Sequence, residues 1–381
     1  MAENTIMKLY IGGKYTMKDL LLMRAPLKYI QGKDALKKFY ENSKEFGKKY
    51  LFVCSHSGYN AVHDSVEESF KGSDAIRHYE IFGGISSVGE IKKMEEIVKK
   101  EGIDIVVGVG GGSAIDTAKA TAYYMNKRIA IIPTVCATDA PCTGLSVIYN
   151  DDHSFNSYLF YPNNPDLVMV DSGVIAKSPA KFLVAGMGDA LGTFFEARAC
   201  YKTTSKSLEN GGITLSAMAL CKLCYETLLK DGKKALISVE NQLVTPELDS
   251  IIEANTYLSG VGADNGGLCV AHSFYNGVTS LGKKTAMHGN CVAFGTLVQL
   301  LLENSSVEEF NTVRDFMYSV GLPLTLEEIG IEDDDAMKVA IASCAEGESI
   351  HNLSGDVKPE ELRDAILLCD KLGHEFLGSK K

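Results

Sequence analysis

Through the first half of the chain, short runs rich in β-branched residues alternate with stretches of helical period, and after about Pro179 the alternation stops. KKYLFVCSHSG reads as a strand and its loop, HDSVEESFKG as a helix, HYEIFGG as a strand and VGEIKKMEEIVKKEG as a charged helix. IDIVVGVGGGS is a strand running into glycines, AIDTAKATAYYMN a helix, KRIAIIPTVCATDAP a buried strand and DLVMVDSGVI another. Strands separated by helices of this length pair in parallel, with helices on both faces of the sheet. Beyond the change, AKFLVAGMGDALGTFFEARACY, SLENGGITLSAMALCKLCYETLLKDG and PELDSIIEANTYLSGVG read as successive helices. A chain of 381 residues exceeds one typical core. The expectation is an α/β domain over residues 1–175, a parallel sheet flanked by helices, and an all-α domain over 176–381. The cleft between the two is the expected place for a ligand.

Charge narrows the partners. With 38 Lys and Arg against 49 Asp and Glu, the net charge is −11, which leaves nothing to neutralise a phosphate backbone; no nucleic acid is expected. No apolar run approaches the ~20 residues of a membrane helix, so no membrane is expected either. The opening MAENTIMKLYIGGKYTMKD carries charges where a secretory signal has its apolar core. Ten cysteines without the spacing of a disulfide framework then fit reduced thiols in a cytoplasmic protein. Cys221 and Cys224 form the one CxxC pair, inside an apolar helical pattern, and read as small buried side chains.

In IDIVVGVGGGSAIDTAKA, Gly108, Gly110, Gly111, Gly112 and Ser113 stand between a strand and a helix. Glycines let the backbone come close to a ligand, and the helix start offers free N–H groups to a diphosphate. A tight turn alone would also use them. The spacing is GxGGGS rather than GxGxxG, and no Lys follows as in a Walker loop. Asp116 and Lys119, one turn apart, read as a supporting pair worth only ~0.2–0.5 kcal/mol if exposed.

Downstream of the next strand lie Thr134, Thr138, Asp139, Thr143 and Tyr149, where hydroxyls and one acid could hold a ribose, a nicotinamide amide or a polyol, or merely form turns. Asp189 follows a glycine at the start of an apolar helix, the position of a helix cap. His272 and His288 stand beside small or apolar neighbours and read equally as core histidines or as ligands. Asp189, His272 and His288 together would make a three-ligand site with one open position, the pattern of a catalytic zinc.

Six ordered motifs go further: RAPLKYIQGKDAL, GVGGGSAIDTAKA, PTVCATDAPCTGLSVIY, FLVAGMGDALGTFFEARAC, LSGVGADNGGLCVAHSFYNG and MHGNCVAFGTLVQL. Together they resemble the glycerol dehydrogenase branch of the iron-containing alcohol dehydrogenase family over nearly the whole chain. The resemblance implies a dehydroquinate-synthase-like fold, a dinucleotide-binding N-terminal domain and a helical metal and substrate domain. It implies a divalent metal on Asp189, His272 and His288, and a cofactor diphosphate on Gly110, Gly111, Gly112 and Ser113. Thr134, Thr143, Leu145 and Tyr149 then line the nicotinamide side, Asp139 contacts the polyol, and Asp139 and His272 are the catalytic candidates. The implied reaction is hydride transfer between a small polyol or alcohol and NAD in a homo-oligomeric enzyme.

Departures from the pattern refine this reading. Iron-dependent members carry a His four residues after the Asp; here that residue is Thr193, which favours Zn²⁺ while leaving Fe²⁺ or another divalent ion open. The first nucleotide strand ends in Ser55 and His56 with no acid for the adenine ribose, which leaves NADP open beside NAD. Ser113 stands where relatives often have Lys, and Tyr275 where they keep a second His, so the substrate pocket departs too. A different alcohol or hydroxy acid, or a lyase of the dehydroquinate-synthase type, is the alternative. The lyase would need several cations around a phosphorylated acid, and only Arg198, Lys283 and Lys284 lie near the ligand segments.

Overall fold

The computed structural model describes residues 20–380. The opening segment that bears on a secretory signal lies outside them. The described residues form two compact units, one of residues 24–187 and 230–261, the other of 20–23, 188–229 and 262–380.

The first unit is built on a six-stranded sheet. Its strands are β1 (Tyr29–Gly32), β2 (Lys49–Cys54), β3 (Ile76–Ile81), β4 (Ile105–Gly110), β5 (Arg128–Pro133) and β8 (Leu167–Asp171), in the order β1-β8-β5-β4-β2-β3. Every pairing is parallel. The central strands are apolar on both faces because helices cover both, and β4 and β8 have no exposed residue. Successive side chains of β2 serve opposite cores. Tyr50, Phe52 and Cys54 pack with Phe39, Val62, Val66 and Phe70, whereas Leu51 and Val53 pack with Met94, Val98, Ala114 and Ala118.

The helices of this unit include α1 (His56–Ser69), α2 (Val88–Glu101) and α3 (Gly112–Tyr124). Ser55 caps α1 by accepting the Gly58 N–H, and Ser87 caps α2 by accepting the Glu90 N–H. His56 to Gly58, read from sequence as loop, therefore form the first turn of α1. Strands β3 and β4 lie on opposite sides of β2, so the strand order reverses between the carboxyl ends of β2 and β4, where ligands gather in open α/β sheets. Both Ser55 and the glycine run stand there.

The sequence pattern marks no strand over 145–160, but the structure places an antiparallel hairpin there, β6 (Leu145–Tyr149) with β7 (Phe155–Phe160). Strand β7 is almost wholly exposed and shows no buried-face alternation, so it leaves no periodic signal.

Beyond the sheet follow α4 (Ala180–Thr203), α5 (Leu215–Glu240), α6 (Pro246–Glu253), α7 (Ser259–Gly266), α8 (Val270–Thr279) and α9 (His288–Leu302). Helix α5 begins only at Leu215, not at Ser207. Asn210 takes a positive φ, and the Thr214 hydroxyl caps the new start by accepting the Ala217 N–H at 3.0 Å. Asp189 is not a cap: α4 runs straight through it. The glycine before it makes room rather than ending the helix, since a Cβ on Gly188 would lie 2.3 Å from the Gly289 carbonyl. Among the described residues no helix is long and apolar enough to cross a membrane. All ten cysteines are free thiols.

Candidate functional site

Three helices of the second unit converge on one point. Asp189 projects from the middle of α4, His272 from the first turn of α8, and His288 opens α9. Asp189 Oδ1 lies 2.9 Å from His288 Nε2 and 3.6 Å from His272 Nε2. The three ligand atoms all fall within 4.8 Å of one another, and among the described residues this is the one cluster of its kind. Tetrahedral coordination at about 2.1 Å needs donors roughly 3.4 Å apart, so this set of two imidazole nitrogens and one carboxylate oxygen fits a divalent cation. Asp189 is only 1% exposed. Burial works against its charge, yet His288 and His272 outweigh burial and hold its carboxyl far below the usual carboxylate range.

The sequence reading missed Glu196, which is fully buried on α4. Its Oε1 accepts the backbone N–H groups of Cys269 at 2.8 Å and His272 at 2.9 Å, occupying the free N-terminus of α8. Its Oε2 faces His272 Nδ1 at 2.5 Å. A carboxylate can only accept, so the Nδ1 proton points at Glu196 and Nε2 is turned toward Asp189. Burial pulls the His272 pKa down, but Glu196 and Asp189 together lift it well above its ordinary value. The one available signal was an acidic residue on the buried side of an apolar helix.

Thr193 is buried one turn beyond Asp189, outside the ligand cluster. Tyr275, one turn after His272, meets the His288 ring edge-on at 4.3 Å between centroids.

The remaining candidates lie in the sheet unit. Gly110 ends β4 with φ near +148°, Gly111 precedes α3, and Gly112 and Ser113 open it with no side-chain cap on the helix. A Cβ on Gly110 would stand 2.8 Å from Ser55 Oγ and 3.0 Å from Ala114 Cβ, so only glycine leaves the turn open. Thr134 donates its N–H to the Gly110 carbonyl at 3.0 Å, which joins the ends of β4 and β5. Thr143 and Leu145 are gathered by Lys119 of α3, whose ammonium bonds the Leu145 carbonyl and lies 3.4 Å from the Thr143 carbonyl. Tyr149, at the far end of β6, donates its N–H to the Ser86 carbonyl at 2.9 Å. Asp139 Oδ2 accepts from the Ser259 hydroxyl at 3.1 Å.

The profile of the iron-containing alcohol dehydrogenase family matches residues 26–172. The glycerol dehydrogenase of Citrobacter freundii is 45% identical over 362 residues, covering 94% of this chain and 99% of its own. That of Escherichia coli O6:H1 is 44% identical over 360 residues, with 93% and 98% covered. The crystal structure of glycerol dehydrogenase from Schizosaccharomyces pombe superposes with a TM-score of 0.91 at 33% identity, covering 96% of this chain and 94% of that one.

The fold is dehydroquinate-synthase-like and the chain is a metal-dependent oxidoreductase, with Asp189, His272 and His288 as its candidate metal site. The chain belongs to the iron-containing alcohol dehydrogenase family, and it is an enzyme that exchanges hydride between an alcohol or polyol and NAD. The lyase reading is not favoured.

Proposed function

We propose that this enzyme oxidises glycerol or a closely similar 1,2-diol with NAD⁺, using zinc held by Asp189, His272 and His288. The convergence of those three side chains, with Glu196 behind His272, carries the reading. Zinc is favoured because the set offers three protein donors and Thr193 adds no imidazole. The cation supplies Lewis acidity that lowers the pKa of an alcohol hydroxyl, and NAD⁺ supplies the hydride acceptor.

The protein supplies position. Asp189 is fixed by its burial, and His272 is oriented through Nδ1 by Glu196. Gly110, Gly111, Gly112 and Ser113 receive the diphosphate at the start of α3, where backbone N–H groups have no cap. Thr134, Thr143, Leu145 and Tyr149 line the nicotinamide side. Asp139, oriented by Ser259, accepts a hydrogen bond from a hydroxyl of the diol. Bound NAD⁺ would accept the hydride of the carbinol carbon, and the hydroxyl proton would leave to solvent.

Initial rates test the reading, with glycerol, 1,2-propanediol, ethanol and lactate each offered with NAD⁺ and NADP⁺ after metal analysis. The expected pattern is diol over monoalcohol and hydroxy acid, with loss of activity on chelation and in His272→Ala. Preference for lactate or ethanol would overturn the substrate, and full activity in His272→Ala would overturn the site.

A further inference from the structure

Asp116 and Lys119 are far from the surface pair that their i,i+3 spacing suggests. They are 8% and 3% exposed, and their side chains leave α3 toward a single segment, Ala140–Val147. The Lys119 ammonium lies 2.9 Å from the Ala140 carbonyl, bonds the Leu145 carbonyl, and stands 3.4 Å from both oxygens of Thr143. Asp116 Oδ1 pairs with it at 3.3 Å, while Asp116 Oδ2 accepts the Val147 N–H at 3.1 Å. Ser146, fully buried, donates to the Asp116 carbonyl at 3.3 Å.

A buried ion pair is a poor source of stability, because desolvation offsets the attraction. What this pair does well is specify geometry. An ammonium has three donors, and here they draw in the carbonyls of Ala140 and Leu145 while the Asp116 carboxylate takes the Val147 N–H. The segment so held carries Thr143 and Leu145, assigned above to the nicotinamide side. The same helix that holds the pair opens at Gly112, where the diphosphate is assigned.

We propose that Lys119 and Asp116 are positioning residues for the nicotinamide half of the cofactor, tying the segment Ala140–Val147 to the helix whose start receives the diphosphate. The proposal rests on the nucleotide reading above. Its consequence is selective: the pair matters for a ligand that reaches the segment and not for one that stops at the second ribose.

ADP-ribose, which is NAD lacking its nicotinamide, separates the two. Calorimetric titration of the metal-loaded enzyme with NAD⁺ and with ADP-ribose is compared between wild type and Lys119→Met, with circular dichroism and zinc content as folding controls. Loss of preorganisation in the segment is expected to weaken NAD⁺ about tenfold and to leave ADP-ribose within about twofold. Equal weakening of both ligands, as a purely structural pair would give, overturns the proposal, and so does no weakening of NAD⁺. If Lys119→Met does not fold, Asp116→Asn carries the test. It is expected to shift the ratio of the two affinities about threefold against NAD⁺, and an unchanged ratio overturns the proposal. A wild-type protein that binds neither ligand would instead overturn the nucleotide reading on which the proposal rests.

Discussion

The Nδ1 of His272 lies 2.5 Å from Oε2 of Glu196, a carboxylate with no exposure to solvent. One side chain thereby fixes both the start of α8 and the rotation of the imidazole that α8 carries. Both oxygens of Glu196 face donors, so the site has no use for an amide there. In Glu196→Gln one side must set an amide N–H against another N–H. Zinc affinity is expected to fall about 10–100-fold, measured by competition with a chromogenic chelator. Affinity equal to wild type would remove Glu196 from the site.

Helices α4 and α9, which carry Asp189 and His288, touch at Gly188 and Gly289. In Gly188→Ala the new Cβ would stand 2.3 Å from the Gly289 carbonyl and 2.8 Å from Leu322 Cδ2, so the helices must separate. The substitution is expected to cost about 1–3 kcal/mol in urea unfolding of the metal-free protein, as overpacking does. Because the same displacement moves His288 from Asp189, zinc affinity falls as well. A variant matching wild type in both measurements would contradict this account of the helix contact.

Acid lability has an identifiable contributor in the sheet unit. Asp104 Oδ2 accepts the N–H groups of Lys48 at 2.9 Å and Lys49 at 3.0 Å, at the entry to β2. Burial raises the Asp104 pKa, but these bonds and the nearby Lys127 and Lys49 charges hold it below its ordinary value. A depressed folded pKa means that the unfolded chain binds more protons, so this stabilisation is present above the unfolded value of about 3.9 and disappears as pH falls through the folded one. Asp104→Asn is expected to be less stable than wild type at neutral pH. The gap should narrow as pH falls from about 5 to about 3, followed by urea midpoints across that range. A gap independent of pH would assign the effect to something other than ionisation.

Ser55 follows β2 beside Gly110, with its Oγ capping α1. Aspartate caps a helix as well as serine does, so Ser55→Asp keeps the cap and adds a charge at the switch point of the sheet. The variant is expected to raise KM for NADP⁺ about tenfold or more, by repelling a 2′-phosphate, and to leave KM for NAD⁺ little changed. An unaltered ratio of the two KM values would place the adenine ribose elsewhere.

Much of the fold was legible because its causes are local. Short β-branched runs announced the main strands, a period of 3.6 residues announced the helices, and a glycine run between them announced the turn at Gly110. The ordered motifs carried the ligand candidates, although spacing alone left His272 and His288 no better than core histidines. Where the local signal misled, packing supplied the reason. Asp189 looked like a helix start because a glycine precedes it, whereas Gly188 serves the contact with Gly289.

The sequence by itself therefore determined the parallel α/β grammar, the helical remainder, the glycine turn and the residue types available to a metal. Only the tertiary structure decided which of those residues meet. Glu196 is an unremarked acid on an apolar helix until the N–H groups of Cys269 and His272 close on it. Lys119 is an ordinary helical lysine until the carbonyls of Ala140 and Leu145 do the same. The physical reason is common to both. A buried charge is tolerable only where distant backbone groups converge to satisfy it, and that convergence depends on packing between segments far apart in the chain.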